Sequence, residues 1–407
     1  MIISSKAKPR IFPYNGDISP SQMDRIQSMD FNPALNREKI REVGRVGIVD
    51  WKAGVPSVSG SIKQMEYGSL ELFQFLANLA SSEVTVNLTD FTTSQFDFAL
   101  YKTDDNGTFL GTYFYPKQRL TGFNINMSSP DAFIERDFST IGEDEHIYSN
   151  DNKYVVFLRS VATGAGHQIV FGSGGFATYP DPVADPDESG TKYFIRILRV
   201  RSTTTTELVE GTDFTYNSGT TTITIANSQA SDVFKVYYTA TTYITSADQF
   251  TANDSDLAGI VADSCSIYLN VSNYMYRLQS ASIGVTFDRQ DVKEIGNSEV
   301  VARGIRDTNV SVNLGRFVED YTLEQILRGS ASTYGKYDLR KYQDDISLII
   351  KVYDSRDKGT FKLGYKFTNL SPTSFGNTVP TQDYVGRTAT LSGQEGFITN
   401  SEAALTA

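Results

Sequence analysis

The sequence predicts a mainly β protein: two duplicated antiparallel β-sandwich or half-barrel modules, each with one short helix, and a small immunoglobulin-like β domain inserted between them. Three observations carry this. Residues 23–62 overlay residues 275–314 without a gap, so that Met23, Arg25, Gln27, Ser28, Arg37, Glu42, Gly44, Val49, Val58 and Ser59 meet Met275, Arg277, Gln279, Ser280, Arg289, Glu294, Gly296, Val301, Val310 and Ser311. Ten identities in forty positions exceed the roughly two or three that composition alone yields. The same 252-residue offset returns downstream, where Tyr101, Asp105, Gly107, Thr108, Phe109 and Tyr113 meet Tyr353, Asp357, Gly359, Thr360, Phe361 and Tyr365. Finally, 23 Tyr and 25 Phe stand beside many Thr and Val, residue types that suit a pleated, half-buried surface. Solenoid units are only about 20–50 residues long. The offset therefore marks a duplicated domain, which points to assembly rather than chemistry.

In order along the chain, module one covers residues 1–150. A strand-rich opening (30–48) leads to an alternating run, Val55–Ile62. Leu72, Phe73, Leu76 and Leu79 then recur at helical spacing behind Ser69, a capping residue. Phe96, Phe98 and Leu100 alternate with polar residues before Asp104-Asp105-Asn106-Gly107, a hairpin turn whose last two residues tolerate positive φ. The module closes on Arg136-Asp137-Phe138-Ser139-Thr140-Ile141-Gly142. Module two, residues 266–407, repeats the order: 282–300, Thr308–Leu314, a helix with capping-box spacing at Thr322 and Gln325 that Gly329 can stop, Ile346–Tyr353, and Phe361–Phe367. Between them, residues 151–265 hold a Gly- and Pro-punctuated linker (172–188) and a small β domain with its core at 176–246. Its strands are Tyr193–Val200, Phe214–Tyr216, Thr221–Ile225 and Val233–Tyr238, with a turn at Glu210-Gly211-Thr212. The domain has no counterpart in the repeat, so it should project outward and be dispensable for assembly.

Composition excludes several classes. A net charge of −11 opposes a protein that grips nucleic acid by neutralising phosphates. Cys265 is the single cysteine, so no intrachain disulfide forms. The opening Met1-Ile2-Ile3-Ser4-Ser5-Lys6 lacks the roughly 7–15-residue apolar stretch of a secretory signal. No run approaches the about 18 apolar residues of a membrane span, so a soluble product that folds where it is made is expected.

The sequence carries no catalytic, cofactor-binding or metal-ligating constellation, so none is expected. His146 and His167 are the two histidines, and no G-x-S-x-G elbow accompanies them. Gly164-Ala165-Gly166-His167 lacks the Gly-Lys-Ser/Thr of a phosphate loop and suits a hairpin turn. Asp181, Asp185, Asp187 and Glu188, and likewise Asp104, Asp105 and Asn106, offer oxygens to Ca²⁺ but follow no EF-hand pattern, so solvated loops are the expectation. Cys265 is expected to be a buried or edge residue. Charged and glycine positions kept in both copies need another reason. Arg37, Glu42 and Gly44, with Arg289, Glu294 and Gly296, suit either a required turn or a contact with a neighbouring module.

The module resembles the tail tube (major tail) protein fold of tailed bacteriophages and related contractile injection systems. The likeness rests on the charged opening Asn36–Gly44, the single helix Ser69–Leu79, the hairpin, and the terminal Phe138-Ser139-Thr140-Ile141-Gly142. It covers roughly residues 10–150 and 265–400. The tandem copy is similar to the two-module, T5-like tail tube proteins. That resemblance implies homotrimeric rings with pseudo-six-fold symmetry, stacked into a hollow conduit for DNA ejection. It implies as partners the tape measure, terminator and distal tail proteins, a sheath where the tail contracts, and passing genomic DNA that is not bound sequence-specifically. It also implies a place in the virion tail after assembly in the host cytoplasm, with no enzyme activity, no cofactor and no membrane. The rival expectation is a virion adhesin or baseplate protein that binds a host surface through the inserted domain.

Overall fold

The computed structural model describes all residues except 1–7, 19–20, 24, 36, 41–49, 54–55, 104–108, 150–153, 173–178, 186–191, 242–258, 271–272, 276–277, 294–299, 318–321, 329–343, 356, 379–385 and 407. The fold is mainly β, and its sheets are antiparallel. Module one opens with β1 (Lys8–Pro13), β2 (Ser21–Gln22), β3 (Ile26–Ala34), β4 (Arg37–Ile40), β5 (Asp50–Ala53) and β6 (Ser57–Met65). It continues with α1 (Glu71–Ala77), β7 (Thr85–Asn87), β8 (Phe96–Thr103), β9 (Phe109–Met127), β10 (Glu135–Gly142) and β11 (His146–Ser149). The insert holds β12 (Tyr154–Val161), β13 (Gln168–Val170), β14 (Phe194–Arg201), β15 (Thr204–Glu207), β16 (Phe214–Asn217), β17 (Thr222–Ile225) and β18 (Val233–Ala240). Module two holds β19 (Cys265–Leu269), β20 (Asn273–Tyr274), β21 (Leu278–Lys293), β22 (Val300–Phe317) and α2 (Thr322–Arg328). It ends with β23 (Ile346–Tyr353), β24 (Phe361–Thr378), β25 (Gly386–Gly393), β26 (Glu395–Thr399) and α3 (Glu402–Thr406).

Alternation makes these strands. In β6, Val58, Gly60, Ile62 and Gln64 turn inward while Ser59 and Ser61 face out, and β10 repeats the pattern with Arg136, Phe138 and Thr140 inward. The front of the molecule is one sheet in the order β3–β6–β10–β9–β21–β22–β25–β24. Behind it lie β2–β1–β8–β9–β11 from module one and β20–β19–β23–β24–β26 from module two, the latter joined by β7 of module one. Strands β9 and β24 therefore serve both layers. Each changes sheet at a residue with left-handed backbone, Lys117 (φ 53°) in β9 and Asn369 (φ 55°) in β24, the local kink that lets one strand turn a sandwich corner. One continuous core fills the space between front and back, from Ile11, Phe98 and Phe138 to Ile350, Phe367 and Leu391. Helix α1 buries Phe73 against Phe123, Phe138 and Tyr365. Ser69 accepts the Glu71 N–H at 3.1 Å just ahead of it.

The insert is a two-sheet unit, β12–β18–β14–β15 facing β13–β17–β16, with its own core around Ile169, Phe171, Phe194, Ile223 and Phe234. Strands β12 and β13 precede residue 176, so the core draws on sequence upstream of the punctuated stretch. The described part of that stretch packs onto the insert, where the Tyr238 hydroxyl donates to the Pro180 carbonyl at 2.9 Å. The insert is not a tethered knob. Val155, Phe157, Leu198 and Tyr237 pack on Phe12, Ala99, Tyr101 and Phe114 of the back sheet of module one. The Lys235 ammonium donates to the Pro13 carbonyl at 3.0 Å, and the Tyr101 hydroxyl to the Val155 carbonyl at 2.7 Å.

Candidate functional site

The two modules meet along a strand pair. β9 of module one and β21 of module two run antiparallel, from Met127 opposite Ala281 to Gly122 opposite Thr286. The buried positions of β21, Ala281, Ile283, Val285 and Phe287, continue the alternation of Phe123 and Ile125 in β9, so the core crosses the seam without a break. Phe287 packs on Phe91 and Phe123, with ring centroids 5.6 and 6.4 Å away. Arg289, two residues on, pins the seam. Its guanidinium donates to the carbonyls of Phe91 (2.8 Å), Thr92 (3.3 Å) and Leu120, all in module one.

A second seam closes the back. β7 pairs with β26, Val86 opposite Ile398, and both side chains are fully buried. Beside it the Glu66 carboxylate accepts from the Arg136 guanidinium at 2.7 Å and from the Tyr365 hydroxyl of module two at 2.6 Å. Arg136 and Glu66 are both shut away from water. A buried charge pair is tolerated only when its remaining valences are met, and the N–H groups of Tyr67 and Gly68 meet them at Glu66. Burial drives the Tyr365 hydroxyl well above the usual phenol range, and the nearby Glu66 carboxylate reinforces it. Burial likewise pushes the Cys265 thiol up, which keeps it protonated. Gly68 has φ +79°, and a Cβ there would lie 2.6 Å from Lys362 of module two, so the close approach demands glycine.

The outer edges of the front sheet are β3 and β24, and these are the counterparts of the strands that meet at its centre. Ile26–Ala34 lies at the 252 offset from the first part of β21, and β24 lies at that offset from β9. The exposures differ accordingly: Phe287 is 2% exposed, whereas its counterpart Leu35, just past β3, is 65% exposed. The solvent face of the front sheet is small and polar. One row across all eight strands runs Ser28, Lys63, Asp137, Asn124, Gly284, Ser311, Ser392, Ser371.

Of the six residues singled out in the sequence, the structure describes two. Arg289 sits in the seam. Arg37 is exposed on β4, opposite Ala53 of β5. Glu42, Gly44, Glu294 and Gly296 lie outside the described residues. Recurrence alone could not reveal Glu66, because its position at the 252 offset is Val318. Arg136, at an inward position of an alternating strand, was the available signal. Among the described residues no group of three or more His, Cys, Asp or Glu side chains is placed to hold a metal ion.

No family model matches this chain, and no curated protein matches it. Among solved structures, a chain of an extracellular contractile injection system, from a PVC sheath-tube complex in the extended state, is similar over 39% of this chain and 99% of its own length, at 12% sequence identity and a TM-score of 0.28.

Proposed function

We propose that this chain is a non-enzymatic building block of a phage-type tail tube: three copies close head to tail into a ring of six modules, and rings stack into a conduit for DNA. One observation carries the reading. The open edges of the eight-stranded front sheet, β3 and β24, are the counterparts of β21 and β9, which pair at its centre. A sheet whose two free edges repeat its own internal joint is a heterologous interface, and such an interface closes into a ring when the rotation allows. Pairing also removes the exposed edges that invite uncontrolled aggregation. Duplication makes half of the joints intrachain, which lowers the entropy cost of assembly.

The row on the solvent face, made of hydroxyl, amide and glycine positions with Lys63 and Asp137 among them, would become the inner wall. It offers little cationic charge, and with a net charge of −11 for the chain it would let a polyanion slide past without gripping phosphates. Neighbouring rings, the other tail proteins and a sheath would meet the remaining faces. Mass measurement across a concentration series, with negative-stain imaging, tests the proposal. Three-chain rings and stacked tubes are expected, and a protein that remains monomeric at every concentration overturns it.

A further inference from the structure

The back layer carries a second vacancy. In module two, β26 is covered along its outer side by β7 of module one, with Phe397, Ile398 and Thr399 opposite Asn87, Val86 and Thr85. Its counterpart in module one is β11. Ile147 lies opposite Tyr113 of β9 as Ile398 lies opposite Tyr365 of β24, and Tyr113 and Tyr365 are 252 residues apart. Strand β11 pairs with β9 alone among the described strands. The burial of these counterparts diverges as the missing neighbour dictates. Ile398 is 0% exposed and Ile147 is 59% exposed, and Tyr365 is fully buried where Tyr113 is half-buried.

Position sets a further distinction. His146 and Tyr148, on the opposite face of β11 from Ile147, border a cleft of ≈ 270 Å³ whose far wall is the insert, with Asp185, Lys192 and Tyr193. Module two has no insert, so its β26–β7 seam has no such wall.

We propose that β11 is a docking edge for a second copy of this chain: a strand of the neighbour's second module adds to β11, sets an apolar side chain on Ile147, and passes its flanking side chains beneath the insert into the Tyr148–Lys192–Tyr193 cleft. The inference rests on the ring reading and deepens it. The insert becomes a clamp on the joint between chains rather than a decoration of the tube. Strand addition of this kind draws affinity from main-chain hydrogen bonds and selectivity from pockets for alternate side chains. The Val86–Ile398 contact shows what the middle pair looks like when made within the chain.

The test uses the full-length chain carrying Ile147→Asp, with Ile147→Val as the conservative control. Because Ile147 is exposed in the single chain, the monomer should melt at the wild-type temperature, while the concentration for half-assembly into rings should rise about ten- to hundredfold. The valine variant should assemble like the wild type. Amide exchange at 146–149 should slow when wild-type monomers become rings. Rings that form unchanged from the aspartate variant, or exchange at β11 that is the same in monomer and ring, overturn the docking edge and leave the ring reading standing. A lowered monomer melting temperature would place Ile147 in the core of the single chain and overturn it as well. Wild-type protein that never forms rings removes both.

Discussion

Asp97 of β8 and Arg196 of β14 lie 2.9 Å apart, with side-chain exposures of 0% and 3%, so a buried charge on module one is neutralised by the insert. Burial lifts the Asp97 carboxyl above its ordinary range, against the pull of the guanidinium. The Lys117 N–H also donates to it at 2.8 Å, which ties the docked insert to the corner where β9 changes sheet.

Asp97→Asn should therefore destabilise the chain by about 3–5 kcal/mol, the cost of leaving a guanidinium buried without its counter-charge. Adding Arg196→Met should recover much of the loss. Urea unfolding of the two single variants and the double variant measures this, and additive losses would refute a coupled pair.

Removing the insert should behave the same way on a larger scale. A deletion from 154 to 240 would expose Phe12, Phe114 and Asp97. A lower melting temperature and aggregation of the shortened chain are expected, contrary to a dispensable appendage. A shortened chain as stable as the full one would show that the contact contributes nothing.

Arg289→Met should cost about 1.5–3 kcal/mol, because three carbonyls of module one lose a charged donor. Arg37→Met, exposed on β4, should leave the melting temperature of the single chain unchanged. Thermal unfolding of both variants at low concentration checks the contrast.

Tyr365→Phe removes one donor from the Glu66 carboxylate and should cost about 1–3 kcal/mol. Circular dichroism melts measure it. A loss no larger than that of an exposed substitution would mean the hydroxyl contributes nothing to the back seam.

Lys235 sits in the insert interface beside Asp17, Asp97 and Arg159, and burial pulls its ammonium down to about 7. The unfolded chain holds that proton to about pH 10.4. From pH 7 upward, folding releases a proton, so the lysine's penalty is full below pH 7 and is relieved as pH rises. Wild type should gain on Lys235→Met by up to about 1.4 kcal/mol per pH unit between pH 7 and 9. Paired melts at pH 7, 8 and 9 check the sign, and a constant difference would show that the group does not titrate there.

Strand content was legible because Phe96, Phe98 and Leu100, or Thr308–Leu314, alternate strongly. The sheet switch was not. Lys117 is a residue type with no preference for positive φ, so β9 reads as a short strand rather than a single strand spanning two layers. The docking of the insert was hidden as well, since Asp97 and Arg196 are separated by 99 positions and each looks like one polar residue among apolar neighbours. For the seam, recurrence drew attention to Arg289, which the fold places against module one. Glu66 itself had no recurrence to betray it, since Val318 stands at its offset position, although its partner Tyr365 recurs as Tyr113.

Among the described residues the insert packs on the back sheet of module one, so the outside of the molecule does not share the near-equivalence of its inside. A ring of three such chains would alternate raised and bare sectors around a bore of six similar walls. Any outer layer gripping it through six equal footholds would find only three alike. Such a layer would have to come in threes or carry two kinds of grip, a symmetry mismatch that one insertion would introduce.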